Sequence, residues 1–191
     1  TFDRGIIQDS YIGMTITDCT MTMNFATING GQFGLDAESS HVTVMGGNIL
    51  GSKAVLADKN SVITFYGGYI NGDYTDIIVT NGSKVTFELS QDRELKFYKN
   101  LTVQGVTLNQ LLGEGAAYWV GKLQVTLRDD ATSVNATQSN SQIVVKPQCS
   151  HSDCTLNYTN NEVNHIATKS CCSAYVYEPH SYDGCLCLCG A

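Results

Sequence analysis

The sequence predicts an all-β protein: a right-handed parallel β-helix, then a cap, then a small cysteine-rich module. Two observations lead to this prediction. Similar phrases recur at spacings of 21 and 22 residues, and seven of the eight cysteines lie after residue 148. A period of this length is typical of a solenoid, in which each repeat buries its apolar face only by stacking on the next. The sudden rise in cysteine content indicates a domain boundary.

Three phrases align, at residues 40–49, 61–70 and 83–89, and a looser copy spans residues 25–33. Each of the three carries a threonine between apolar residues that alternate in the manner of a strand: Thr43, Thr64 and Thr86. The phrases are rich in Val, Ile, Thr, Phe and Tyr, which favour strands. The solenoid is therefore predicted to consist of β-coils.

Glycine and asparagine mark the predicted corners of the coils. Gly-Gly pairs occur at 30–31, 46–47 and 67–68, and we expect them at corners or bulges. Asn60 and Asn81 occupy similar turn positions, where asparagine tolerates the left-handed conformation and stacked copies can hydrogen-bond as a ladder.

The pattern divides the chain into three parts. Residues 1–98 are predicted as parallel β-helix coils, residues 99–147 as a strand-rich cap with a short helix that Thr107 begins, and residues 148–191 as a cross-linked Cys/His-rich module. Trp119 is expected to cover the final apolar layer of the coils; the alternative is an exposed platform on which a sugar stacks.

The chain opens at Thr1 inside the strand pattern, without a signal peptide, which favours a processed piece of a longer secreted protein. An uncapped first coil exposes backbone groups and apolar surface. We therefore expect further coils, a neighbouring subunit or a partner to cover it. Cys19 lies in this region and is expected to be a small buried hydrophobe.

Composition excludes two classes of function. The net charge of −7 argues against nucleic-acid binding, which needs a basic surface to neutralise phosphates. No apolar run approaches the roughly 20 residues that a membrane-spanning helix needs. We expect neither a nucleic-acid partner nor membrane insertion.

The tail has too few apolar residues for a core of its own, so cross-links must hold it together. Zinc and disulfides both remain open. The candidate zinc ligands are Cys149, His151, Cys172, His180, Cys187 and Cys189. The candidate disulfide partners are Cys149, Cys154, Cys171, Cys172, Cys185, Cys187 and Cys189.

Residues 101–118, which read LTVQGVTLNQLLGEGAAY, resemble a segment that follows β-helix repeats in adhesin-like surface proteins of gut-type Gram-positive bacteria. Residues 149–190 resemble the Cys/His-rich modules of the same proteins, which read C-x-H, H-x-x-x-C-x-x-C, H-x-Y and C-x-C-G. The chain departs from this pattern at Lys169, where a cysteine is expected, and has the pair Cys171-Cys172 instead, which favours disulfides. The resemblance implies an extracellular, cell-surface protein.

The sequence predicts no enzyme. Asp73 and Asp76 are the candidate carboxylate pair in the repeats, and we place them in a turn rather than across a catalytic groove. His41 has no nucleophile identifiable nearby, so a surface role is favoured. The pair Asp129-Asp130 is interpreted as a solvated turn.

Three hypotheses of function follow, of which the third and least favoured is a polysaccharide-degrading β-helix enzyme that uses Asp73 and Asp76. The first is an extracellular structural or adhesive protein that self-associates, with end-to-end stacking into a fibre as its extreme form and glycans or a host surface as further partners. The second is a carbohydrate-binding module that uses tyrosines as stacking surfaces: Tyr66, Tyr69 and Tyr74. Four Asn-x-Ser/Thr tripeptides are candidate glycan acceptors, at Asn81, Asn100, Asn135 and Asn157.

Overall fold

The computed structural model describes residues 1–90, 92–121, 123–136 and 142–148, together with the backbones of five short strands in the tail (residues 156–160, 164–169, 175–179, 182–183 and 186–187). By backbone contacts the chain forms two units. The first comprises residues 1–121 and 125–147, and the second comprises residues 122–124 and 148–191.

The described residues form twenty strands and one short helix. In chain order these are β1 (Phe2–Asp3), β2 (Ile6–Thr17), β3 (Thr20–Asn24), β4 (Ala26–Glu38), β5 (His41–Val44), β6 (Gly47–Asp58), β7 (Val62–Phe65), β8 (Gly68–Val79), β9 (Lys84–Phe87), β10 (Leu95–Phe97), β11 (Asn100–Gln104), α1 (Leu108–Leu111), β12 (Ala116–Val120), β13 (Leu123–Val125), β14 (Ser133–Asn135), β15 (Ile143–Pro147), β16 (Leu156–Asn160), β17 (Asn164–Lys169), β18 (Tyr175–Pro179), β19 (Tyr182–Asp183) and β20 (Leu186–Cys187).

The first unit is a β-solenoid of about four turns, as the sequence predicts. The short strands β1, β3, β5, β7 and β9 stack in parallel as one sheet, and the long strands β2, β4, β6 and β8 stack in parallel as another. Each pairing between long strands contains a register shift, so a long strand covers two sides of its coil. In the last coil these two sides are the separate strands β10 and β11, which both pair with β8.

Equivalent residues of successive repeats lie directly above one another. Thr43 pairs with Thr64, and Thr64 pairs with Thr86, so the aligned phrases are in register. The spacing of stacked strands is about 4.8 Å. The parallel pairing continues through β11, so the last coil extends beyond residue 98.

Inward-facing side chains fill the interior of the solenoid. Each coil contributes one side chain to each inward-facing column. One such column consists of Phe2, Met23, Val44, Phe65 and Phe87. The rings of Phe65 and Phe87 lie 6.0 Å apart, edge to face. This stacking of apolar side chains along the solenoid is what buries the core.

A ladder of serines links the coils beside this column. The amide of Ser61 donates to Oγ of Ser83 at 3.0 Å, and the amide of Ser40 donates to Oγ of Ser61 at 3.1 Å. The amide of Cys19 donates to Oγ of Ser40 at 3.2 Å, which makes Cys19 the last member of the ladder. Ser40 and Ser61 are 1% and 0% exposed. A hydroxyl suits this position because it accepts from an amide of the preceding coil and also donates to a carbonyl of that coil, as Ser40 does to Ile16 and Ser61 does to Ala37.

Cys19 is exposed, so the prediction that it is buried was wrong. Its neighbours in the ladder are covered by a coil on each side. Cys19 pairs with a coil on one side only, because among the described residues no coil lies beyond β1 and β2.

The predicted corner residues have positive φ angles. Asn60 and Asn81 lie at φ 63° and 49°, and the amide of Asn60 donates to the carbonyl of Asn81 at 2.9 Å. The side chain of Asn81 donates to Asp58 Oδ1 at 2.6 Å. The ladder at this corner is therefore a backbone contact rather than a stack of asparagine side chains.

The looser copy at residues 25–33 is out of register with the coils. Ala26 pairs with Gly47, so Phe25-Ala26 occupies the corner that Gly46-Gly47 fills one coil later. The pair Gly30-Gly31 lies instead within β4, where the register shifts between Asn29 and Phe33. These glycines belong to a bulge, which is one of the two positions predicted for them.

Residues 106–121, 125–136 and 142–147, named here the closing segment, pair with each strand of the last coil. At β9, Phe87 bridges to Leu112. β15 is antiparallel to β10, and β14 is antiparallel to β11. β12 continues the sheet beyond β15. The predicted helix is present as α1, where the Gln110 side chain accepts from the amide of Thr107 at 2.8 Å.

The tail strands form two small antiparallel sheets, β16-β17-β18 and β19-β20. No helix in the described part of the chain is long and apolar enough to cross a membrane.

Candidate functional site: a groove along the glycine corners

A depression on the described surface follows one corner of the solenoid. It consists of two adjoining hollows of about 330 and 400 Å³, which share Gly68, Asp92 and Glu94. Its lining comes from four successive coils, so the groove runs along the stacking direction. The residues that line it are Phe25, Met45, Gly46, Gly47, Asn48, Gly67, Gly68, Tyr69, Asp92, Arg93, Glu94 and Lys96.

Glycine forms the floor in the two middle coils of the groove because these two corners admit no larger residue. Gly47 and Gly68 lie at φ 105° and 124°, a region that favours glycine. A Cβ on Gly47 would lie 2.1 Å from the carbonyl oxygen of Ala26, and one on Gly68 would lie 2.8 Å from that of Gly47. The two tight corners therefore stack as a strip of bare backbone.

An insertion in the last coil forms one wall. The corners between β5 and β6 and between β7 and β8 take two residues each. The chain between β9 and β10 is seven residues long, at 88–94, and the structure describes all of these except Gln91. Arg93 anchors this longer loop: its Nη1 donates to the carbonyl of Met45 at 2.8 Å. In the same loop, the carbonyl of Glu94 accepts from the amide of Gly68 at 3.0 Å.

Two aromatic side chains lie in the groove. Phe25 is 59% exposed, at φ 54°, and its ring lies against Gly46. Tyr69 is partly buried in the outward row that also contains Asn48 and Lys96. Burial raises the pKa of Tyr69, and the neighbouring Tyr98 and Asp76 add to this shift. The phenol therefore stays protonated at neutral pH and offers a hydroxyl.

The charges in the groove balance. Asp92 and Glu94 are exposed carboxylates, while Arg93 and Lys96 are cations. Lys96 Nζ lies 3.2 Å from Glu94 Oε2. The groove thus offers hydrogen-bond donors and acceptors without a strong field of either sign.

The two carboxylates of the candidate pair, Asp73 and Asp76, lie in different environments. Both lie within β8 and not in a turn, which corrects the sequence interpretation. Asp73 is exposed, whereas Asp76 is only 3% exposed. Oδ1 of Asp76 accepts from the amide of Gly72 at 2.9 Å, and Oδ2 accepts from the amide of Thr102 at 2.8 Å.

Asp76 therefore links the last two coils. Burial raises the pKa of Asp76 to about 6, partly offset by its backbone hydrogen bonds. Its carboxylate already accepts hydrogen bonds from two backbone amides, so we interpret Asp76 as a structural residue.

The other singled-out residues lie apart from the groove. His41 is exposed at the start of β5. Trp119 is 2% exposed, so the alternative of an exposed sugar platform was wrong; Lys146 Nζ lies 4.3 Å from the centre of its ring. Of the three tyrosines proposed for stacking, only Tyr69 lines the groove.

The predicted cross-linking residues fall almost entirely outside the described residues. This holds for Cys149, His151, Cys154, Cys171, Cys172, His180, Cys185 and Cys189. Cys187 lies in β20, where its backbone pairs with Tyr182. Within the described residues, no three His, Cys, Asp or Glu side chains come together in a way that could hold a metal ion. Zinc and disulfides both stay predictions.

Most of the candidate glycan acceptors, and both members of the pair Asp129-Asp130, are exposed. Asn81, Asn100 and Asn135 are exposed, and Asn157 lies in β16. Asp129 and Asp130 are exposed as predicted, and Asp130 Oδ1 lies 3.1 Å from Arg128 Nε.

Sequence reasoning missed most of the groove. Phe25 was assigned to a repeat copy, and residues 92–94 carried no motif. A signal was present: the aligned phrases end at residue 89 and strand-like sequence resumes at 95, which leaves an unexplained insertion. Comparison with known proteins adds no assignment, because no family, curated protein or solved structure matches this chain.

Proposed function

We propose that this protein is an extracellular structural or adhesive surface protein that self-associates through the open edge of its first coil. In this proposal the solenoid is a right-handed parallel β-helix. The closing segment caps one end, and the Cys/His-rich tail is a cross-linked module. The observation that supports self-association most is the outer edge of β1 and β2, with which no other described strand pairs.

The edge is long and partly apolar. β2 has twelve residues and pairs only with β4 among the described strands. Ile6 and Tyr11 on this strand are 70% and 71% exposed. β2 has one charged residue, Asp9, and its register with β4 shifts on both sides of Ser10. The rest of the strand is uncharged, and no other described strand covers its edge, so it is a template for pairing with another strand. A second copy of the same edge supplies such a strand.

The opposite end supports the assignment of a cap. Each strand of the last coil is paired there by the closing segment. Behind this layer the hydroxyl of Tyr118 donates to the carbonyl of Leu108 at 2.7 Å, and Tyr118 is 1% exposed. A terminal layer that covers the apolar end of the last coil is the role of a capping repeat in a solenoid.

Sedimentation velocity at increasing protein concentration tests self-association. We expect a concentration-dependent shift to dimers, because an edge that pairs with its own copy closes at two subunits when the opposite end is capped. Fibres in electron micrographs would contradict this capped, edge-to-edge arrangement. The double variant Ile6→Lys/Tyr11→Lys should be monomeric at all concentrations, because like charges would face each other at the edge. The matched control is Tyr74→Lys, a 79% exposed tyrosine on β8, which has coils on both sides. A wild-type protein that is strictly monomeric would dismiss the proposal.

Non-reducing mass spectrometry with metal analysis tests the extracellular assignment. Disulfides among the tail cysteines are expected, since oxidising compartments favour them. Stoichiometric zinc with free thiols in the untreated protein would argue against this assignment.

A further inference from the structure

We propose that the groove along the glycine corners binds a short, neutral oligosaccharide. This inference does not depend on self-association, because the groove lies on a corner of the inner and last coils and not on the β2 edge.

The first argument is the insertion that builds the wall. In repeat proteins, extra residues in a single repeat map to loops on one face, often the binding face. The corner at residues 88–94 is the one corner among these three that departs from two residues. The Arg93–Met45 hydrogen bond at 2.8 Å holds it over the neighbouring coils, so the wall is formed in the free protein.

The second argument is the chemistry of the lining. Sugars combine apolar C–H faces with a dense set of hydroxyls, so their sites pair aromatic rings with side chains that accept and donate hydrogen bonds. Phe25 and Tyr69 supply the rings. Asp92 and Glu94 supply acceptors, and Asn48 supplies an exposed amide.

The third argument is charge. The two acids and two bases of the groove cancel, so it has no attraction for a strongly anionic or cationic ligand. An uncharged ligand rich in hydroxyls fits this balance better than a phosphate or a uronic acid.

The fourth argument is shape. The groove crosses four coils, from Phe25 to Lys96, and three steps of about 4.8 Å give roughly 14 Å. This is the length of a short chain of sugar rings rather than of a single ring. The volume of each hollow falls in the range of small-ligand sites, about 300–1,000 Å³.

The test begins with direct binding of purified protein to hexasaccharides. The probes are neutral β-1,4-linked glucose, N-acetylglucosamine, xylose and mannose, with β-1,4-linked glucuronic acid as the charged comparison. We expect at least one neutral hexasaccharide to bind, and its monosaccharide to bind at least tenfold more weakly. Calorimetry or ligand-observed NMR measures the affinity.

Two variants locate the site. Phe25→Asn removes the ring while retaining a residue that tolerates a positive φ, and Asp92→Ala removes an exposed acceptor. Each should weaken binding about tenfold, whereas Tyr74→Ala should leave it unchanged, because Tyr74 lies outside the groove. Circular dichroism confirms that each variant is folded.

Three results would overturn the proposal. The first is that no hexasaccharide binds at millimolar concentration. The second is that binding is equally weakened by Tyr74→Ala. The third is preferential binding of the charged hexasaccharide.

Discussion

The first coil and the last coils of the solenoid have the same repeat but opposite surroundings. Phe2 and Phe87 occupy one inward column, yet Phe2 is only partly buried and Phe87 is completely buried. Cys19 and Ser61 occupy one ladder, yet Cys19 is exposed and Ser61 is not. Burial at a given repeat position therefore depends on the coil beside it, as expected for a structure stabilised by nearest-neighbour contacts.

The largest effect should come from replacing a phenylalanine of the inward column with alanine. Phe2 and Phe87 lie at the two ends of this column. Phe87→Ala should lower the free energy of unfolding by about 3–5 kcal/mol, because the cavity lies between two other rings, Phe65 and Phe97. Phe2→Ala should cost less than half as much, since one side of Phe2 already faces the open end. Urea unfolding of both variants measures the difference. Equal losses would contradict the open edge.

The next effect concerns the carboxylate that joins the last two coils. The pKa of Asp76 is raised from its ordinary 3.8 to about 6 by burial, so the folded state binds an extra proton between these values. Its contribution to stability should therefore fall as pH rises from about 4 to about 6, by up to about 3 kcal/mol.

The Asp76→Asn variant isolates this contribution because it cannot titrate. The difference in unfolding free energy between wild type and variant should change across this pH window and be constant above it. If the unfolding free energies of wild type and variant changed in parallel from pH 4 to pH 7, Asp76 would have its ordinary pKa and would not be buried between the last two coils.

A smaller effect is expected in the serine ladder. Ser61→Ala leaves the buried amide of Ser40 without its acceptor, which should destabilise the protein by about 1–3 kcal/mol. Cys19→Ala changes the same ladder position at the open end and should stay within about 0.5 kcal/mol of wild type. Thermal or urea unfolding compares them. If Cys19→Ala were as damaging as Ser61→Ala, the first coil would have to be covered.

The solenoid could be predicted from the sequence because residues that pair between neighbouring coils are of similar type in each repeat. Thr43, Thr64 and Thr86 recur at coil spacing, and strand-forming residues surround them. The serine ladder was equally visible, since each phrase begins with serine, but its role needed the hydrogen bonds between coils.

Other features were beyond the sequence for physical reasons. Phe25 fills a corner that glycine fills elsewhere, so a search for glycine pairs misaligned the first copy. Asp76 seemed to lie in a turn because Asn-Gly-Asp favours turns, whereas the long strand absorbs these residues at a register shift. The groove joins residues as far apart in sequence as Phe25 and Lys96, and only the stacking of coils brings them together.

Amide hydrogen exchange, followed at low and high protein concentration, tests the open first coil most directly. In dilute protein, the amides of β2 should exchange much faster than those of β8, which has paired strands on both sides. As concentration rises, protection should increase in β2 and stay unchanged in β8. Strong protection of β2 in dilute monomeric protein would contradict an open edge, and rapid exchange throughout β8 would contradict the stacked coils themselves.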